Sequence, residues 1–279
     1  MICLKASTAA GKTKKEYIED VIDDCKLIFN TVFADQFFHD DNLKVAFCTS
    51  ADQSSVFEEF CGKYFPLYLG ENYSRTNYFA AQAMTNVSED ICGILICLDT
   101  PDKGEIWYQI ILHEMSHLFC IMNELDGENF QDKCTKEKTG GDVHYYFSTV
   151  GYTVWREFIA DYIAIPITPL MKPISLVNLR ENVRKLDEGV NRANPECSQD
   201  CSQILSYIFT YPKIKNAQDV ESVFRILEKN RIFATKERSQ DYYPIIEAIF
   251  VQLKQEKYWS ITNKFMERIG MTYCALVNW

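Results

Sequence analysis

The stretch from Gly104 to Met122, GEIWYQIILHEMSHLFCIM, decides how this chain is read. Its apolar residues recur at helical spacing and predict one helix over 104–122. Ile106, Ile110, His113, His117 and Ile121 fall on one face of that helix, the face expected to be buried. His113 and His117 are four residues apart, so their imidazoles point the same way. Together with Glu114 they form an H-E-x-x-H segment. Two histidines aimed together hold one Zn²⁺, and the glutamate between them reaches a water on that ion. The chain has only four histidines, and this pentapeptide uses two of them. Read blandly, the same trio is a self-satisfied buried polar cluster or an inactive zinc site.

Working outward, Gly93–Leu98 (GILICL) reads as an apolar strand that ends in the turn Asp99-Thr100-Pro101. Leu43–Thr49 reads as another strand and Ser54–Tyr64 as a short helix. Thr13-Lys14-Lys15-Glu16 is a capping-box pattern, which predicts a helix over 14–31. Residues 65–90, rich in Tyr, Asn and Ser, give no clear period. After the central helix comes a long polar stretch with Gly127, Gly140 and Gly141. A helix is expected from Tyr152 to Ile165, stopped by Pro166. Amphipathic patterns then cover 175–187, 201–210, 218–230, 243–257 and 259–269. The expected class is α+β: a subdomain over 1–124 with a small sheet and the H-E-x-x-H helix, a connector or lid over 125–150, and an all-helical subdomain over 151–279.

At 279 residues, with 47% hydrophobic and 24% charged positions, the composition is that of an ordinary globular protein. A net charge of −10 without a basic stripe argues against nucleic acid as the main partner. No apolar run has the length of a bilayer span and no leader pattern opens the chain, so neither a membrane association nor export is expected. The eleven cysteines are odd in number and scattered, which suits a reducing compartment and a cytoplasmic protein. Cys197 and Cys201 are the one close pair in a polar stretch, read as thiols or a disulfide rather than a metal site.

A catalytic zinc site needs a third protein ligand and one open position. A third histidine in H-E-x-x-H-x-x-G-x-x-H would require Gly at 120 and His at 123, where this chain has Cys120 and Asn123. The metzincin pattern is therefore absent. On the following helix, Trp155-Arg156-Glu157-Phe158-Ile159-Ala160-Asp161 places two acids at i, i+4 on one face. Their neighbours Val154, Phe158, Ile159, Ala160, Ile163 and Ala164 are apolar, and acids in such company are costly unless paired or metal-bound. Otherwise the two acids form a solvated face.

H-E-x-x-H followed by E-x-x-x-D on a second helix resembles the gluzincin arrangement of thermolysin-like metallopeptidases, over about residues 93–165. The resemblance implies a zincin-like fold, one Zn²⁺ per chain and a peptide or protein substrate. It implies Glu157 as the third ligand and Asp161 as the group that orients His113. It also implies a downstream His or Tyr that stabilises the oxyanion, with His144 first among His144, Tyr145, Tyr146, Tyr152 and Tyr162. A sheet-edge strand that binds peptide backbone belongs to the family as well; Gly93–Leu98 is placed to be that strand, or is a plain core strand.

Two alternatives stay open. Asp126 or Asp142 is a possible third ligand, because Gly140-Gly141-Asp142-Val143-His144-Tyr145 partly matches the aspzincin element G-T-x-D-x-x-Y. Ala6–Thr13 (ASTAAGKT) loosely matches a nucleotide-binding P-loop, although the capping box at Thr13 explains the same residues more simply. A protein that keeps the zinc fold as a binding or regulatory module, without turnover, is the alternative to an enzyme.

Overall fold

A computed structural model describes residues 11–33, 37–69, 79–100, 106–125, 142–169, 176–191, 197–210, 220–233, 239–255 and 262–276. The first ten residues, Asp126 and the rest of 126–141 lie outside that description. The class is α+β, and the chain divides into two compact units. One is Met1–Asn123 with Ile167–Leu170; the other is Glu124–Pro166 with Met171–Trp279.

In the first unit, α1 (Lys14–Val32) begins at the predicted capping box. Thr13 accepts from the Glu16 N–H, and the Glu16 carboxylate accepts from the Thr13 N–H at 2.7 Å. Those two bonds satisfy donors that a helix start leaves open. Strands β1 (Leu43–Cys48), β2 (Ala81–Asn86) and β3 (Ile91–Cys97) form one sheet in the order β1-β3-β2. β1 runs parallel to β3, with Leu43 opposite Cys92, and β2 runs antiparallel to it, with Ala81 opposite Ile96. β3 is buried along nearly its whole length, which explains its unbroken apolar sequence.

Each face of β3 has its own cover. Leu95 and Cys97 join Phe57, Phe60 and Cys61 of α2 (Gln53–Tyr64), together with Cys48, Phe65 and Met84, in one apolar cluster. Gly93 faces the same way, and a Cβ there would stand 2.3 Å from the Phe65 ring, so only glycine fits. By alternation Cys92, Ile94 and Ile96 face the other side, where α3 (Ile106–Met122) packs on β2 and β3 and against α1. Tyr108 fixes the α1–α3 pair: its hydroxyl donates to the buried Asp24 carboxylate at 2.7 Å. Phe119 packs beside Phe29 and Phe33 of α1 further along.

The regular elements described in the second unit are helices: α4 (Asp142–Ile167), α5 (Leu176–Asn191), α6 (Cys197–Thr210), α7 (Val220–Lys229), α8 (Ser239–Gln255) and α9 (Asn263–Leu276). α4 starts ten residues before the expected Tyr152, so residues 142–150 are helix rather than connector. It passes Pro166 by one residue before ending. Small residues let it approach its neighbours closely. The Ser202 and Ser206 hydroxyls of α6 donate to the carbonyls of Val154 and Phe158 at 2.9 and 3.0 Å. On another side Gly151 meets Gly270 of α9; a Cβ on Gly151 would lie 1.8 Å from the Met266 carbonyl oxygen. Phe158, Phe209, Phe250 and Phe224 then form a chain of ring contacts through α4, α6, α8 and α7. Among the described residues no helix is long and apolar enough to cross a membrane.

Two outcomes follow from this packing. Gly151→Ala gains about 1 kcal/mol of helix propensity but forces α4 from α9, at a cost of about 3 kcal/mol or more. Thermal denaturation is expected to show a net loss of several degrees, and an unchanged melting temperature would contradict the close helix crossing. The eight described free cysteines are all buried. Burial pushes Cys48 and Cys92 up to about 12 and Cys61 up to about 11, from an ordinary value of 9.0. Iodoacetamide at about pH 8 is therefore expected to label these three only after unfolding, as read by peptide mass spectrometry. Because the folded values are raised, their contribution to stability is full below pH 9.0 and is lost as pH climbs toward about 12.

Candidate metal centre

No residue of α3 is exposed. A helix apolar on every side must be covered on every side, and this one carries His113, Glu114 and His117 into that cover. Its stripes divide the work. Trp107, Ile111, Glu114 and Leu118 share the face that meets the sheet; Tyr108, Leu112, Met115 and Phe119 share the face that meets α1. The histidine stripe is a third one, and it differs from expectation. Ile106, Ile110, His113 and Ile121 are only half-buried, whereas Trp107, Ile111, Leu112, Met115 and Leu118 are fully buried. The sheet and α1 claimed the two other faces, a choice that helical periodicity alone does not reveal.

His117 is 4% exposed. Its Nε2 lies 3.1 Å from the Nε2 of His113, with the two rings nearly perpendicular at 88°. Two nitrogens bound about 2.1 Å from one tetrahedral ion stand about 3.4 Å apart. The pair is thus spaced as two ligands of a single zinc ion would be.

Glu114 sits between them in sequence but leaves by a different stripe. Its Oε2 accepts the backbone N–H of Ala83 on β2 at 2.8 Å. Among the described residues β2 is the edge strand on this side of the sheet, and Gly93–Leu98 takes the second of its two readings, a core strand with partners on both sides. The sequence of β2, AQAMTN, has little β-branched or alternating character and lay within the stretch without a clear period. β3 supplied the pairing that local propensity did not.

In α4, the Glu157 side chain is 12% exposed, with Arg156 Nε at 3.7 Å from its Oε1. Asp161, one turn on, is 3% exposed. This burial rules out a solvated acidic face. His113, His117 and Glu157 each offer one ligand atom of a kind that could hold a metal ion. One nitrogen from each histidine and one carboxylate oxygen make a donor set suited to zinc.

His144 lies in the first turn of α4, not in a loop. Its side chain is 57% exposed and its Nδ1 pairs with the Glu267 carboxylate of α9. Tyr145 and Tyr146 are exposed, and Tyr152 is buried. Tyr162 stacks on Phe158. Asp142 opens α4, and its side chain, like all of Asp126, lies outside the described residues. Lys12 pairs with Asp20 and Thr13 caps α1, so both carry structural tasks; Ala6 to Ala10 lie outside the described residues.

Comparison with protein-family models, curated proteins and solved structures finds no match for this chain.

Metal analysis of purified protein separates the candidate ligands. Wild type is expected to hold one zinc per chain, and removal of the ion should lower its thermal stability. At zinc a hundredfold above the dissociation constant the gain is about 2.7 kcal/mol. His113→Ala, His117→Ala and Glu157→Ala should each lose the ion, while Asp142→Ala keeps it. Loss of zinc in Asp142→Ala with retention in Glu157→Ala reverses the assignment of the third ligand.

Proposed function

We propose that this protein is a zinc-dependent hydrolase of peptide bonds with a zincin-like fold and a gluzincin ligand set. The observation that carries the reading is the His113–His117 pair, with its Nε2 atoms 3.1 Å apart on a helix that also carries Glu114. In the absence of an ion the same approach is an N–H···N hydrogen bond between neutral imidazoles, and a zinc ion would replace the shared proton. Glu157, a nearly buried carboxylate, completes the proposed three-ligand site.

His113, His117 and Glu157 would hold one Zn²⁺. When bound, the ion acts as a Lewis acid that makes water ready to lose a proton near neutral pH. Glu114 is the general base: its carboxylate takes that proton as the water attacks the peptide carbonyl, then delivers it to the leaving amine. Asp161 fixes the tautomer and orientation of His113, the usual task of a carboxylate behind a ligating histidine. His144 does not serve as the oxyanion donor: it precedes Glu157 on the same unbroken helix by thirteen residues, about 20 Å along the axis, and pairs instead with Glu267. The substrate is a peptide or protein. A cytoplasmic site of action remains part of this proposal, drawn from the cysteine pattern.

Glu114→Gln preserves shape and hydrogen-bonding capacity but cannot accept the proton. It is expected to retain one zinc per chain and to lower kcat/KM on a peptide substrate by about 10²- to 10⁴-fold. Hydrolysis at the wild-type rate by the Gln variant would remove Glu114 from the base role. Zinc-loaded wild type that cleaves nothing in a broad peptide library would instead mark a zinc-fold binding protein without turnover.

A further inference from the structure

The register of the sheet gives Ala83 a particular place. The Cys97 N–H donates to the Ala80 carbonyl at 2.9 Å, so the backbone groups of residue 80 face β3. Alternation in an antiparallel pair then turns Gln82 and Met84 toward β3, and Ala81, Ala83 and Thr85 away from it. Two bonds follow that phase: Thr85 N–H donates outward to the Tyr68 hydroxyl at 3.2 Å, and Ala83 N–H donates outward to Glu114 Oε2 at 2.8 Å. Glu114 is therefore tied to an N–H that the sheet does not use but holds rigidly.

We propose that the outward N–H of Ala83 is the positioning group for Glu114, with Oε2 as the anchored oxygen and Oε1 as the working base. This rests on the hydrolase reading above. A glutamate side chain has three rotatable torsions, and a base free to sample them would seldom face its proton. An anchor from backbone at mid-strand confines the carboxylate without adding a second charge.

The bond itself is tested by amide hydrogen exchange, which needs no activity. In wild type the Ala83 amide is expected to exchange slowly. In Glu114→Ala it should exchange at least tenfold faster, while the ladder amides of Gln82 and Met84 change less than twofold. Equal Ala83 rates in the two proteins overturn the proposal, whether or not the protein hydrolyses peptides.

Its consequence is tested by Ala83→Pro against Ala81→Pro. Proline on an edge strand removes an outward N–H without breaking the ladder. Both variants should bind one zinc per chain. Ala83→Pro should lower kcat tenfold or more at unchanged KM, and Ala81→Pro should stay near wild type. Wild-type kcat in Ala83→Pro, or a rise in KM alone, overturns the positioning role. If Ala83→Pro does not fold, or if wild type proves inactive and the hydrolase reading fails, the exchange result decides by itself.

Discussion

Desolvation of a single helix is the constraint on which the rest of this structure turns. α3 has no exposed residue, yet it carries His113, Glu114 and His117. Polar groups withdrawn from water cost several kcal/mol when they lack partners. The surrounding elements answer that cost on separate stripes. The sheet takes the apolar stripe of Trp107, Ile111 and Leu118 and meets Glu114 with a backbone N–H. α1 takes the stripe of Tyr108 and Phe119 and meets the tyrosine hydroxyl with Asp24. The remaining stripe holds the histidines, whose nitrogens turn toward each other.

Rigidity around this helix has local causes. Lys14 of α1 donates to the carbonyl of Leu98, just beyond β3, at 2.6 Å and also to that of Thr100. The N-terminus of α1, the exit of β3 and, through Tyr108 and Asp24, the start of α3 are thereby joined. Gly93 lets the Phe65 ring lie against the central strand, closing the face opposite α3. The sheet beneath the proposed base is thus packed on both faces, and a hydrogen bond from its edge strand can fix a side chain rather than follow it.

In the helical unit the same end is reached by small residues. α4 carries Glu157 and Asp161 among large apolar neighbours. Gly151 admits α9 to near backbone contact, and Ser202 and Ser206 bring α6 onto the carbonyls of Val154 and Phe158. Those two carbonyls bracket Glu157 along the helix. A side chain proposed to hold a metal needs a helix that does not shift, and close packing by Gly and Ser supplies that.

Much of this was legible in the residues themselves. The H-E-x-x-H spacing, the i, i+4 acids of α4, the Thr13 capping box and the apolar runs of β1 and β3 are local patterns, set by helical and strand periodicity. They determined which elements exist and which residues belong to the candidate site. Tertiary structure decided the rest. β2 has weak strand propensity and exists because β3 needed a second partner, which makes Gly93–Leu98 a core strand and Ala81–Asn86 an edge. The deepest face of α3 was chosen by what packed on it, since an all-apolar helix has several equivalent faces. The start of α4 at Asp142, rather than Tyr152, went with α9 packing along its N-terminal half, where Gly270 meets Phe147 and Gly151 and Glu267 meets His144. The bond from Ala83 to Glu114 joins residues thirty-one apart. Its existence depends on strand order and register, and those are properties of chain segments brought together rather than of either segment alone.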